Sequence, residues 1–264
     1  MSGLCGVVRW DGGVVEASWV EAMVGAARWR GPDGVGRHVA GAVGLAHLAS
    51  HVTPESVREV QPRVEGEVVV VADARIDNRA ELVAALGGVV GPGATDVELV
   101  AAAYRAWGLE SAARLVGDFA FVVWDGERRR LYAARDALGM RSLAYRVEAG
   151  RALFATEVKQ VLAVPGVPAR VFEPAVAAFL SGPYVRPEWS FWEGIAQLAP
   201  AHAWTWEEGA GSRTWRYWDV DGERRIRYRR EEEYAEHFLE LFRASVRARL
   251  RSVRPVGLLL SGGV

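Results

Sequence analysis

The sequence predicts an α+β fold, and three observations carry the prediction. The stretch Phe119-Ala120-Phe121-Val122-Val123-Trp124, the turn Asp125-Gly126 and the run Leu131-Tyr132-Ala133-Ala134 form a clear hairpin signal. The run Val68 to Ala74 is β-branched without polar alternation, as in a strand buried on both faces. Segments such as Glu231 to Leu250 place apolar residues at helical spacing, with Tyr234, Phe238, Leu241, Phe242, Val246 and Leu250 on one stripe.

The elements follow in order. The run Gly3 to Gly13 is apolar, of strand type, and ends in the Asp11-Gly12 turn, which predicts a buried strand followed by a hairpin or tight loop that ties down the N-terminus. Ala17 to Trp29 has the apolar spacing of a helix, which Arg30-Gly31-Pro32-Asp33-Gly34 ends with turn chemistry. A strand is expected at Val43 to Leu48 and a charged turn at Glu65-Gly66-Glu67, before the Val68 strand. Asp77-Asn78 offers caps for a helix at Ala80 to Leu86. Thr95 or Asp96 caps a helix that runs to Trp107 and stops at Gly108. After the hairpin, strands are expected at Ser142 to Val147 and Leu153 to Ala155, and helices at Thr156 to Leu162 and Pro174 to Leu180. The aromatic crowding from Trp189 to Trp218 suits strands and loops packed on a sheet. The charged stretch Glu223 to Arg230 reads as a solvated linker.

The chain has 264 residues, half of them hydrophobic, and a net charge of −1. With no strongly basic patch, it gives no reason to expect nucleic acid as a partner. It has no apolar span of membrane length and no leader with a cleavage site, so a cytoplasmic protein with no membrane partner is expected. Cys5 is the only cysteine, which excludes an intrachain disulfide framework and any multi-thiolate metal site. Its bland role is that of a small buried hydrophobe.

The last residues, Gly257-Leu258-Leu259-Leu260-Ser261-Gly262-Gly263-Val264, read as a strand that starts at Pro255 and breaks into a bare Ser-Gly-Gly turn. Backbone N–H groups in such a turn can close on a phosphate where a helix follows. By itself Ser-Gly-Gly is more often a surface turn. The expectation is a fragment whose final strand opens a second domain, exposed for want of a partner and inactive as supplied.

In this order the motifs resemble the asparagine synthetase and β-lactam synthetase family. The similar stretches are Arg30 to Gly34, Gly117-Asp118-Phe119-Ala120-Phe121, Ala134 to Leu143, Phe154-Ala155-Thr156-Glu157-Val158-Lys159, Tyr217-Trp218 and Leu259-Leu260-Ser261-Gly262-Gly263. Taken singly, Arg135-Asp136 reads as a surface ion pair and Phe119 to Trp124 as core. The resemblance implies a glutamine amidotransferase type 2-like αββα sandwich of the N-terminal-nucleophile type over residues 1–210. It further implies a linker over 211–230 and the start of a parallel α/β ATP-pyrophosphatase domain over 231–264. It assigns ATP with magnesium as cofactor, with Leu259, Ser261, Gly262 and Gly263 on the nucleotide. In such hydrolases the α-amino group, with a pKa near ~8, is the general base for the first side chain.

The amidotransferase positions depart from the family pattern. Ser2 stands where the family exposes a cysteine nucleophile. His47 aligns with the arginine that pairs with the glutamine carboxylate, and at neutral pH it is mostly uncharged and lacks the bidentate fork. Asp73-Ala74 replaces the Asn-Gly pair that donates to the oxyanion. An ionised carboxylate only accepts, and losing one oxyanion donor costs about 3 kcal/mol. Asp96 matches the residue that binds the substrate amino group, and Arg75 is placed to neutralise Asp73.

These departures predict a lost glutaminase, so the amine would arrive with the substrate. The full protein is then expected to be an ATP-dependent, adenylating amide ligase. The Met-Ser-Gly start and a composition typical of G+C-rich bacteria, with Lys159 the only lysine, favour a lasso-peptide macrolactam cyclase. Its partners would be a precursor peptide and the protease that processes it. The alternatives are an asparagine synthase, glutamine-hydrolysing or ammonia-using, a β-lactam synthetase, and a non-catalytic scaffold.

Overall fold

The computed structural model describes residues 2–182 and 186–258. Twelve strands and six α-helices can be followed in the described chain. One sheet contains β1 (Gly3–Arg9), β2 (Gly34–Ala40), β3 (Val43–Ala49), β8 (Ala144–Glu148), β9 (Arg151–Ala155) and β10 (Ala196–Gln197). Its order is β10-β8-β9-β1-β3-β2. The second contains β4 (Arg63–Glu65), β5 (Val68–Ile76), β6 (Gly117–Asp125), β7 (Arg130–Arg135), β11 (His202–Glu207) and β12 (Gly211–Arg216). Its order is β12-β11-β7-β6-β5-β4. All the strand pairs are antiparallel.

Strand alternation builds three apolar layers from these sheets. Leu4, Leu45, Val69, Val71, Val122 and Phe154 fill the space between the sheets. Val70, Ala72, Phe121 and Tyr132 point the other way, onto α3 (Asp96–Trp107) and α2 (Arg79–Ala85). Cys5, Val7, Ala46 and Leu153 pack under α1 (Ala17–Ala26) and α4 (Val158–Leu162). The molecule is therefore an αββα sandwich. The absence of polar alternation in Val68 to Ala72 reflects burial on both faces.

Local chemistry fixes the element ends. Thr95, not Asp96, is the N-cap of α3: its hydroxyl accepts from Glu98 N at 3.4 Å, and Glu98 accepts from Thr95 N at 2.7 Å. Gly108, at φ +56°, ends the helix. Asn78 precedes α2 without a side-chain cap and instead braces Arg114 O and Val116 N, both at 3.0 Å. The helix expected from Thr156 starts at Val158, behind a Glu157–Gln160 capping box, and α5 spans Glu173–Ser181.

Two boundaries change. β12 pairs with β11 along its whole length, and the Tyr217 hydroxyl donates to Arg135 O at 2.6 Å. The sandwich thus continues through residues that the resemblance assigns to the linker. At the other end, α6 (Glu231–Arg249) forms as expected, with Glu231, Glu232 and Glu233 in its first turn and Arg247 and Arg249 in its last. The strand expected from Pro255 is absent among the described residues there, which reach Leu258; a parallel strand needs a neighbour to pair with. No helix among the described residues is long and apolar enough to cross a membrane.

Candidate functional site

One end of the sandwich gathers the start of β1, the end of β3, the end of β5 and the start of β6. It also holds the loop from β7 to β8, which crosses from one sheet to the other. Ser2 sits at this end. Its hydroxyl accepts from Ser50 N at 3.0 Å and donates to Ser50 O at 3.3 Å. Its carbonyl accepts from Arg30 Nη1 at 3.2 Å. Arg30 is held in turn by Glu157, which also pairs with Lys159 at 2.8 Å. Asp33 fixes the same loop by accepting from His51 N at 2.7 Å. The Arg-Gly-Pro-Asp turn and the Glu157–Lys159 stretch are thus a clamp on residue 2.

His47 is buried on β3, where it pairs with Leu4 while Leu48 pairs with Gly3. Burial, with the nearby charge of His51, lowers its pKa to about 4. The ring is neutral at pH 7 and two residues deeper in the strand than Ser2, so it is no cationic anchor for a carboxylate.

Asp73 lies on the face of β5 that looks between the sheets, with 4% exposure. Burial raises its pKa, Arg141 and Arg30 oppose that, and Asp118 adds to it. The same Arg30 that holds Ser2 therefore acts on Asp73. The partner of Asp73 is Arg141, at 3.6 Å, and not Arg75 as the sequence suggested. Arg75 runs instead to Asp77 at 3.5 Å and donates to Ala248 O at 2.6 Å. Arg141 is 8% exposed, and its Nε and Nη1 have no hydrogen-bond partner among the described residues.

The β7–β8 loop explains how Arg141 arrives there. Asp136 accepts from the backbone N–H groups of Leu138 at 3.1 Å, Met140 at 2.9 Å and Arg141 at 2.9 Å. Arg135 donates to the carbonyls of Arg141, Leu198 and Gly139 at 2.6, 2.7 and 2.7 Å. This pair is no surface ion pair. Each side chain saturates one set of backbone groups and folds the loop around itself. Gly139 turns at φ +68°, where a Cβ would meet Pro200 at 2.7 Å.

On the open edge of β5, Gln61 holds Ala72, accepting from its N–H at 2.7 Å and donating to its carbonyl at 2.9 Å. Ile76 N donates to Asp96 at 3.2 Å. Strand alternation aims the Ala74 N–H at the same edge, between those two. The Ala74 side chain packs toward the helical layer. Asp96 is buried and ion-paired with Arg79, with Arg251 3.9 Å away. Burial raises its pKa, against both arginines.

Arg30 links to Ser2 by a hydrogen bond and to Asp73 by charge alone, and the geometry places Ala74 and Asp96 along one strand edge. It leaves His47 as a neutral core residue. Sequence reasoning missed Arg30, Gln61 and Arg141 as parts of the site, although Arg30 and Arg141 lie inside stretches that stood out. Leu259, Ser261, Gly262 and Gly263 lie outside the described residues. Among the described residues, no group of three or more His, Cys, Asp or Glu side chains is arranged to hold a metal ion.

A model of the glutamine amidotransferase domain matches residues 1–218. The chain is 35% identical over 171 residues to asparagine synthetase [glutamine-hydrolyzing] 3 of Bacillus subtilis, covering 64% of this chain and 27% of that protein. It is 32% identical over 242 residues to amidase chry2 of Gibberella zeae, covering 89% of this chain and 36% of that one. It thus spans about a quarter to a third of these curated relatives. The fold is similar to that of the glutamine phosphoribosylpyrophosphate amidotransferase of B. subtilis, with a TM-score of 0.56 at 16% identity over 83% of this chain and 50% of that one. On its fold, its motifs and these matches, the chain belongs to the glutamine amidotransferase domain family, in the line found in asparagine synthetases.

Proposed function

We propose that this domain has lost glutamine hydrolysis and serves an ATP-dependent amide-forming ligase whose amine comes with its own substrate. The observation that carries the reading is the buried Asp73–Arg141 pair, 3.6 Å apart, where the resemblance calls for a neutral donor. A carboxylate there repels a developing oxyanion. His47 is neutral, and Asp96 is matched by Arg79. A substrate with both a carboxylate and an amine fits best, and a peptide closed into a macrolactam ring is the form favoured by the sequence. The ligase chemistry calls for ATP with magnesium, its phosphates falling to Leu259, Ser261, Gly262 and Gly263. A precursor peptide and its processing protease would then be the partners, in the cytoplasm.

A second reading keeps one specific observation in its favour. The Ala74 N–H on the open edge of β5 is a main-chain oxyanion donor that no side-chain change removes, and Arg30 still fixes Ser2. Relatives named as glutamine-hydrolysing asparagine synthetases agree with that reading. Ammonia release from glutamine by the whole protein decides between the two. The expected rate equals that of Ser2→Ala. Hydrolysis that Ser2→Ala abolishes would overturn the first reading in favour of the second.

A further inference from the structure

Four carboxylates converge near the free end of β5, from four separate segments. They are Glu55 ahead of the Ser56–Arg58 turn, Asp77 just past β5, Asp96 at the start of α3 and Asp118 in β6. Their side chains are 16%, 11%, 4% and 12% exposed, so solvent screens little of their mutual repulsion. The sandwich supplies two cations to them: Arg75 beside Asp77, and Arg79 beside Asp96 and Glu55. Two negative charges are left to be matched.

The segment after the sandwich matches them. Arg249, in the last turn of α6, forks onto both oxygens of Asp118 and lies 3.4 Å from Asp77. Arg251 donates to Ile76 O at 3.0 Å and lies 3.2 Å from Glu55 and 3.9 Å from Asp96. Arg75 reaches back to the Ala248 carbonyl, one of the groups a helix end leaves without an internal partner. Val253 N donates to Val52 O at 3.1 Å just beyond. Both arginines lie after residue 218, outside the stretch that the domain family matches.

We infer that Arg249 and Arg251 form an electrostatic latch. They hold the segment after the sandwich against the Glu55–Asp77–Asp96–Asp118 cluster, and release of that segment exposes these carboxylates to solvent. The inference stands whether or not Ser2 hydrolyses glutamine. Its physics is specific: an attachment made by charges weakens with salt, as the screening length falls to about 3 Å at 1 M, whereas apolar attachment does not.

Carboxylate footprinting of the whole protein tests it, using a water-soluble carbodiimide with glycine ethyl ester read residue by residue by mass spectrometry. In Arg249→Gln/Arg251→Gln, labelling of Glu55, Asp77 and Asp118 is expected to rise several-fold over the wild type. A smaller rise is expected in the wild type at about 1 M sodium chloride, because salt screens the half-exposed Arg249 well and the buried carboxylates much less. Arg247→Gln, which removes an exposed arginine from the same helix, is expected to leave labelling unchanged. Asp125 is fully buried at the far end of β6 and reports unfolding of the sandwich itself. Unchanged labelling in the double variant would overturn the latch. So would a rise matched by Asp125, because the arginines would then be holding the whole domain, or an equal rise in Arg247→Gln.

Discussion

In the sandwich, Phe119, Phe121, Tyr132 and Phe154 have at most 1% of their surface exposed, and every layer meets another through apolar side chains. In α6, no residue is buried: Phe238 is 68% exposed, and Leu241 and Phe242 are 55% exposed. Both regions have apolar periodicity in the sequence, yet one is a core and the other an uncovered stripe. The difference lies in what surrounds them. The inner strands of the sandwich are covered on both faces by elements of the same 218-residue unit. Helix α6 meets that unit through the arginines of its last turn and beyond. A hydrophobic pattern thus says that a face will be covered, and says nothing about which element covers it.

The largest test of this comparison is Phe121→Ala. The ring is fully buried, stacks on Phe119 at 5.7 Å and meets Tyr132 edge-on at 5.5 Å. Truncation removes transfer energy and leaves a cavity between strand layer and α3, at a cost of about 3–5 kcal/mol. Urea unfolding followed by circular dichroism is expected to show the loss. A cost under about 1 kcal/mol would mean that the layer packs loosely enough to collapse around the gap.

How much of this was legible in the sequence depends on burial. Of the inner strands, β1, β3, β5, β6, β7, β8 and β9 were readable from the sequence, whereas β11 lay undistinguished inside the aromatic stretch from Trp189 to Trp218. The edges are β2 and β10 in one sheet and β4 and β12 in the other. Those four were missed or left inside loops, because an edge strand keeps one side open to water and its sequence shows no apolar run. In the site, the positions of Ser2, Asp73, Ala74 and Asp96 could be found because they lie in motifs. Their partners could not. Arg141 reaches Asp73 through a loop that Asp136 folds, and Arg251 reaches Glu55 across nearly two hundred residues of chain. Reading Arg75 as the partner of Asp73 followed from proximity in sequence. On a strand, residues two apart share a face, but the next carboxylate outward, Asp77, captured it.

A smaller effect separates a buried and a half-buried titrating group at this end of the sandwich. His47 has its pKa lowered from 6.5 to about 4 by burial, so the unfolded chain binds a proton there that the folded one refuses. Its contribution to stability is complete above pH 6.5 and is lost as pH falls toward 4. Glu59 runs the other way. Burial outweighs its hydrogen bonds from Val97 N and Gln61 and raises its pKa from 4.5 to about 7. Its contribution is complete below pH 4.5 and is lost as pH rises toward 7. Between these limits the two slopes oppose each other. Relative to the wild type, His47→Leu is expected to lose stability as pH rises, and Glu59→Gln as pH falls, each by about 1 kcal/mol per pH unit. Urea midpoints taken in steps across this window check both signs. Parallel curves for wild type and variants would mean that neither group titrates differently on folding.

The smallest effect expected is at Phe238. Its ring stacks on Phe242 at 6.1 Å, and the pair lies on the open stripe of α6. Truncating an exposed side chain opens no cavity, so Phe238→Ala should change stability by no more than about 0.5 kcal/mol. The same urea experiment as for Phe121→Ala measures it, which makes the two variants a direct pair. If Phe238→Ala instead cost more than about 1 kcal/mol, the stripe would have to be covered in solution, and apolar burial would join the arginines in holding the helix. A null result has the opposite force. It would leave charge as the means of attachment, and the apolar stripe would be spare surface that contributes nothing to the stability of the sandwich beside it.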